Sequence, residues 1–168
     1  LKGLWLLMPL LLAGCDFSRR TISCYEHIPA SDTGRYVVKD SGIVLDPDTG
    51  VEWYRCAFGQ RHTLRGCTGD ALLVTYDEVD SMLEEISTKA GQRWRLPTES
   101  EFLALKEPQC HVPAMNTNVF PNPLIDNFWV QGERERANKA CAVYTYNLGR
   151  SCRLLGNDPR PFYMVKGG

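Results

Sequence analysis

The chain of 168 residues contains no Cys-x-x-Cys pair and only three histidines, His27, His62 and His111, set far apart. A zinc finger or zinc ribbon needs paired cysteines, or cysteine and histidine at close spacing, so structural zinc competes only weakly with the disulfide reading. Basic excess is also lacking. Nineteen Lys+Arg stand against 20 Asp+Glu, for a formal net charge of −1. With no positive footprint to neutralise phosphates, nucleic acid is not expected as a partner. No apolar run reaches the roughly 20 residues that a membrane-spanning helix requires. Internal repeats, heptads, low-complexity tracts and a Gly-X-Y period are absent. Ser, His and acidic residues form no nucleophile elbow or recognisable catalytic spacing, so the chain is not expected to be an enzyme.

What is present begins at the amino terminus. Lys2 is followed by an apolar stretch from Leu4 to Leu12, and then by Leu12-Ala13-Gly14-Cys15. A basic start, a short apolar core and small residues at a cleavage point are the layout of a signal peptide. A cysteine directly after Leu-Ala-Gly resembles the lipobox of bacterial lipoproteins. That resemblance implies cleavage before Cys15, fatty acylation of its thiol, and a membrane partner reached through the amino-terminal lipid. The expected location is the bacterial cell envelope, anchored to either the inner or the outer membrane. Asp16 resembles an inner-membrane retention signal, though Phe17 is not its strongest companion. The chain then divides into a signal peptide (1–14), a lipidated tether (15–34) and one domain (35–168).

Seven cysteines are present. With Cys15 lipidated, Cys24, Cys56, Cys67, Cys110, Cys141 and Cys152 remain. An even set in an exported protein reads as disulfides. Val51-Glu52-Trp53-Tyr54-Arg55-Cys56 alternates like a strand, and the short loop after it ends at Cys67. A Cys56–Cys67 bridge is expected there. Tyr36–Lys39 and Ile43–Leu45 read as two earlier strands, parted by Asp40-Ser41-Gly42.

Thr75-Tyr76-Asp77-Glu78 and Thr98-Glu99-Ser100-Glu101 are capping boxes, and each predicts a helix. Tyr76, Val79, Leu83 and Ile86 form the apolar stripe of the first, with Gly91 as its stop. Phe102, Leu103 and Leu105 give the second its apolar side, and Pro108 ends it. Residues 107–126 hold four prolines and little periodicity, the composition of a long functional loop. Strands are expected at 128–130, 140–146 and 162–165. Glu133-Arg134-Glu135-Arg136 is a charged turn. Asn147-Leu148-Gly149-Arg150 has the look of a tight hairpin. With a two-residue loop, Thr145 faces Cys152, and Cys141 lies about 13 Å further along, too far to bond it. Cys141 and Cys152 then take Cys24 and Cys110, in either arrangement. A longer loop reopens the direct bond.

The order of these motifs is familiar. Asp40-x-Gly42-x-Val44-x-Asp46-x-x-Thr49-Gly50-Val51-x-Trp53 precedes Cys67-Thr68-Gly69. Gly91-x-x-Trp94-Arg95-Leu96-Pro97-Thr98-x-x-Glu101-Phe102, a Phe128-Trp129 strand and Met164-Val165-Lys166-Gly167-Gly168 follow. This resembles the DUF1566 family, described as the C-terminal domain of Legionella collagen-like adhesin, over roughly Gly34 to Gly168. Where relatives often carry Trp-Ser-Ser, this chain has Trp129-Val130-Gln131. The resemblance implies an α+β, C-type-lectin-like fold: two helices beside a short, twisted, mostly antiparallel sheet, with ligands taken on the long loop region. True C-type lectins hold calcium and sugar with a Glu-Pro-Asn triplet and Trp-Asn-Asp. Here Glu107-Pro108-Gln109 ends in Gln and Asp126-Asn127 lacks its Trp. Six to eight oxygen ligands are not evident, so calcium is only a minor alternative and no other metal or cofactor is expected.

Trp53, Trp94, Leu96 and Trp129 read as core, and Arg95 as a tie between segments. The expected function is binding of a glycan or an envelope protein through the loop region. Asn116, Asn118, Asn122, Asp126 and Asn127 supply its amides and carboxylate. The alternative is a structural lipoprotein of a secretion, pilus or conjugation assembly. A formylglycine-generating type of enzyme stands third.

Overall fold

Both capping boxes start helices. A computed structural model describes residues 21–132, 139–153 and 157–167. The amide and hydroxyl of Thr75 both donate to the Glu78 carboxylate, 2.8 Å each, and α2 runs Tyr76–Ala90 behind them. Val79 and Leu83 are its buried face, and Gly91 closes it in the left-handed region, φ 59°. The second box is reciprocal. The Glu101 amide donates to Thr98 Oγ1 at 3.2 Å, and the Thr98 amide donates to Glu101 Oε2 at 2.7 Å. The helix it opens, α3 (Glu99–Leu103), is one turn long and stops well before Pro108. A third, short helix, α1 (Cys24–His27), was not expected; the Ser23 hydroxyl caps it.

Among the described residues the strands form three separate sheets, all antiparallel. A five-stranded sheet has the order β1-β2-β3-β10-β6, from Val37–Val38, Ile43–Asp46, Val51–Tyr54, Val165–Lys166 and Trp94–Arg95. β4 (Arg61–Thr63) and β5 (Gly66–Thr68) make a hairpin. β7 (Asn127–Val130), β8 (Ala140–Tyr144) and β9 (Gly149–Arg153) make the third sheet. The chain is thus mixed α+β with mostly antiparallel pairing. The last strand sits later than 162–165: Phe162 makes only an isolated bridge to Trp129, and the ladder begins at Val165.

Two apolar clusters fill the space between these elements. In the first, Trp53 meets Phe102 and Phe120 edge-on at 5.9 and 5.8 Å, and Phe128 stacks on Tyr163 at 4.8 Å. Each such contact adds to plain burial. The second packs Val79 and Leu83 of α2 against Leu96, Trp129, Phe162 and Met164. Trp53 and Trp129 are therefore core, as their strand positions imply. Trp94 is half-buried and edge-on to Tyr54. Arg95 is the expected tie. Its guanidinium grips Glu101 with two bonds of 2.8 Å and donates to the Leu96 carbonyl.

Among the described residues, three disulfides close the structure: Cys24–Cys110, Cys56–Cys67 and Cys141–Cys152. The second is the expected one. The other two correct the tight-hairpin reading. The loop between β8 and β9 is residues 145–148, with Tyr144 paired to Gly149 and Cys141 directly opposite Cys152. Thr145 has left the hairpin: its amide donates to the Asp126 carbonyl and its own carbonyl accepts from Ala114. That moves the turn back toward the amino terminus and brings the two cysteines together.

The Cys24–Cys110 bridge fixes the segment around Cys24 to the domain, within the stretch expected as a tether. Cys24 and Cys110 are fully buried, and Ser23 bridges to His111. Cys15 and the signal peptide expected at 1–14 lie outside the described residues, as does the charged turn expected at 133–136. Among the described residues no helix is long and apolar enough to cross a membrane.

Candidate functional site

The long segment 107–126 is an irregular connection, but much of it is interior. Ala114, Met115, Val119 and Phe120 are fully buried. Backbone bonds hold it at both ends: the Glu107 amide donates to the Ala114 carbonyl, and the Asp126 carbonyl accepts from the Thr145 amide.

This burial redirects two of the candidate binding residues. Asn116 is 3% exposed. Its Oδ1 accepts from the amides of Asn118 and Val119, at 2.9 and 3.3 Å, and its Nδ2 donates to the Asp32 carbonyl. Asn118 Nδ2 donates to the carbonyls of Pro29 and Asp32, at 2.8 and 3.0 Å. These amides shape the loop and clasp segment 29–34 against it. Asp126 Oδ1 accepts from the Asn127 amide at 2.6 Å, and Asn127 opens β7 opposite Tyr144. Asn122 is exposed, in the left-handed region with φ 47°. The structure therefore brings Asp126 and Asn127 together, leaves Asn122 on the surface nearby in sequence, and gives Asn116 and Asn118 internal partners.

The loop's outward end has a different character. Leu124 is 39% exposed, Ile125 41% and Tyr146 36%. Thr145 accounts for the placing of Tyr144 and Tyr146 toward the surface. It is fully buried, its hydroxyl donates to the Leu124 carbonyl at 2.5 Å, and it accepts from the Asp126 amide. With Thr145 drawn inward at the start of the loop, Tyr146 is left exposed and Tyr144 half-buried. Tyr144 and Tyr146 then stack, with ring centres 5.7 Å apart and planes 12° from parallel. The surface combines a tyrosine pair, two aliphatic side chains and the Asn127 amide. The tyrosines escaped the sequence reading. Their signal is Tyr144-Thr145-Tyr146 itself, two aromatics spaced by two at a strand end.

Other concavities lie elsewhere. A cleft of about 280 Å³ runs between His27–Asp32 and Glu107–Gln109. A larger groove, about 840 Å³, lies along α2 and β6 and is lined by Asp80, Glu84, Arg93 and Trp94. Glu107 and Asp126 do not fall into one ligand set. Among the described residues, the cluster with metal-ligand spacing is Glu99, Cys141 and Cys152, whose sulfurs share a disulfide.

Carboxylates elsewhere serve the scaffold. Asp46 is buried and takes two bonds from the Arg35 guanidinium, at 2.9 and 3.0 Å. Burial pushes its pKa up, but the Arg35 bonds and the Asp48 amide outweigh that and hold it below the usual carboxylate range. Glu101 behaves alike: desolvation raises it, and Arg95 with the Thr98 amide brings it down below normal.

Fold and disulfides together define a small, covalently stapled, mixed α+β domain. A family model for the Lcl C-terminal domain matches residues 42–160, and the chain belongs to that family. The matched span holds the whole tyrosine surface and two of the three disulfides, leaving Cys24 outside. No match was found among curated proteins or among solved structures.

Proposed function

We propose that this is a lipid-anchored cell-envelope module with a C-type-lectin-like fold that binds a glycan through the outward end of its 107–126 loop. One observation carries the reading: the loop spends its interior residues on the core and presents a stacked Tyr144–Tyr146 pair beside exposed Leu124 and Ile125. Tyrosine rings offer an apolar face with a polar tip. Amides such as Asn122 and Asn127 both donate and accept, as sugar hydroxyls do. The calcium chemistry of true C-type lectins is not part of this reading. A protein partner in an envelope assembly is the second reading, favoured by Leu124 and Ile125, which suit an apolar contact better than a sugar.

A glycan array with the wild-type chain and a Tyr144→Ala/Tyr146→Ala variant tests the first reading. Selective binding that falls at least tenfold in the variant supports it. A blank array, with capture of an envelope assembly that the same variant abolishes, moves the assignment to the second. Equal behaviour of the two chains in both assays rejects the surface altogether. Acylation is tested separately, by mass spectrometry of the peptide that begins at Cys15.

A further inference from the structure

Among the described residues, Leu64 is the most exposed large apolar side chain, at 99%. It stands at the end of the β4–β5 hairpin, where Thr63 pairs with Gly66 and leaves Leu64 and Arg65 as a two-residue tip. The tip is pinned. The Arg65 amide donates to Thr63 Oγ1 at 3.2 Å, and that hydroxyl donates to the Gly66 carbonyl at 3.1 Å. Cys56–Cys67 staples β5 to the chain that follows β3, and Gln60 Nε2 donates to the Gly69 carbonyl across the hairpin base. Gly66, with φ 110°, backs onto the 107–126 loop so closely that an added Cβ would lie 3.0 Å from Pro121 Cβ. The hairpin is therefore held from behind while Leu64 stands clear.

The charge around this leucine is uncommitted. Arg61 and Arg65 are exposed, and neither guanidinium has an ion pair or hydrogen bond among the described residues. Arg35, Arg95 and Arg150, in contrast, each grip a carboxylate. No acid occurs between Glu52 and Asp70. His62 is turned the other way: its ring covers Gly42, where an added Cβ would come within 2.7 Å of it.

We infer that the β4–β5 tip is a contact for an anionic lipid surface, with Leu64 entering the acyl boundary and Arg61 and Arg65 lying among the headgroup phosphates. The order of chemistry fits the edge of a bilayer, apolar at depth and anionic above. Arginine stems are long enough to keep their heads in the polar layer while a neighbour goes deeper. A single projecting leucine lacks the area of a stable protein interface, about 800 Å² per partner. A fluid surface needs no matching pocket. The attraction is local, since a chain of formal net charge −1 has no general pull toward anions. A membrane's surface field fades over a Debye length, about 8 Å at physiological salt, so the two tip arginines feel it first. The pinned tip also has little conformational freedom to lose on contact. This contact is separate from the tyrosine surface and does not depend on acylation of Cys15.

Leu64→Trp in the full chain, mixed with vesicles whose acyl chains carry bromine, tests the contact. The wild-type chain has the same four native tryptophans and supplies the baseline. The expected result is extra quenching, from the introduced indole, on phosphatidylglycerol vesicles, little on phosphatidylcholine vesicles, and less as salt is added. Adding Arg61→Glu/Arg65→Glu to Leu64→Trp should raise the lipid needed for half-quenching at least about tenfold. Deuterium exchange reads the unsubstituted hairpin. Amides of residues 61–68 should slow on phosphatidylglycerol vesicles in the wild type and not in Leu64→Asp. Near-ultraviolet circular dichroism checks the fold of each variant. No extra quenching on phosphatidylglycerol, or equal quenching on both lipids or in the charge-reversed chain, overturns the proposal. A tip protected by a protein or a polysaccharide but not by vesicles overturns it as well.

Discussion

Removal of the disulfides one at a time should not cost the same. Cross-linking stabilises mainly by restricting the unfolded chain, and the effect grows with the loop closed. Cys24–Cys110 joins residues 86 apart, whereas Cys56–Cys67 and Cys141–Cys152 each span 11. The chain-entropy relation then assigns about 4.6 kcal/mol to the long bridge and about 2.8 kcal/mol to each short one at 25 °C. Burial adds in the same direction, because both sulfurs of the long bridge are fully buried while Cys67 is partly exposed. Paired Cys→Ala variants, unfolded in urea with the remaining bridges oxidised, give the comparison. The C24A/C110A chain should lose roughly 2 kcal/mol more than C56A/C67A. The urea slope should rise most for C24A/C110A, because its unfolded state expands most. If C24A/C110A loses no more than C56A/C67A, the loop-entropy reasoning is refuted, and with it the claim that the tether segment is an integral part of the domain.

Phe102→Ala should destabilise by about 3–5 kcal/mol, since Phe102 is fully buried between Trp53, Phe128 and Tyr163; denaturant titration measures it, and a cost below 1 kcal/mol contradicts this core. Asp46→Asn should cost about 1–3 kcal/mol at neutral pH by weakening the charged bonds to Arg35. Acid should do likewise. Asp46 and Glu101 both titrate below their ordinary values when folded, so the unfolded chain binds more protons as pH falls past about 4. Their contribution is complete near neutrality and drains away as the pH drops through the folded values. A pH series of urea midpoints should therefore be flatter in acid for Asp46→Asn than for the wild type. Asn122→Gly should be neutral or stabilising by a few tenths of a kcal/mol, because φ 47° suits glycine at an exposed position; clear destabilisation in a thermal melt would point to a contact made by its side chain.

The local grammar of the chain was readable, and the long-range arrangement less so. Capping boxes at Thr75 and Thr98 announce helix starts because the chemistry lies within four residues. Val51–Cys56 alternates as a strand should, and the Cys56–Cys67 loop is short enough to predict. The hairpin register was different. Asn147-Leu148-Gly149-Arg150 has the composition of a tight turn, but Thr145 is drawn off by Asp126 and Ala114, partners far away in sequence. That single competition shifts the turn and changes two disulfides. β4, β5 and β6 are two or three residues each, too short to leave a period. For the candidate site, proline content marked the loop, yet Asn116 and Asn118 turned inward because only the folded chain brings Pro29 and Asp32 to them. The spacing of Tyr144 and Tyr146 by two was a legible signal, but the burial of Thr145 between them depends on Leu124 and Asp126, which only the folded chain brings to it.

The Cys24–Cys110 bridge also sets a load path. A pull entering at Cys24 passes through sulfur into residue 110 and bypasses the intervening chain. Those 86 residues, on the order of 300 Å when drawn straight, are withheld from extension. The five-stranded sheet has most of its strands inside that shunted stretch, so β1, β2 and β3 cannot be drawn out as extended chain until the bond is cut. An oxidised chain stretched from Cys24 should therefore yield a much shorter final extension than a reduced one.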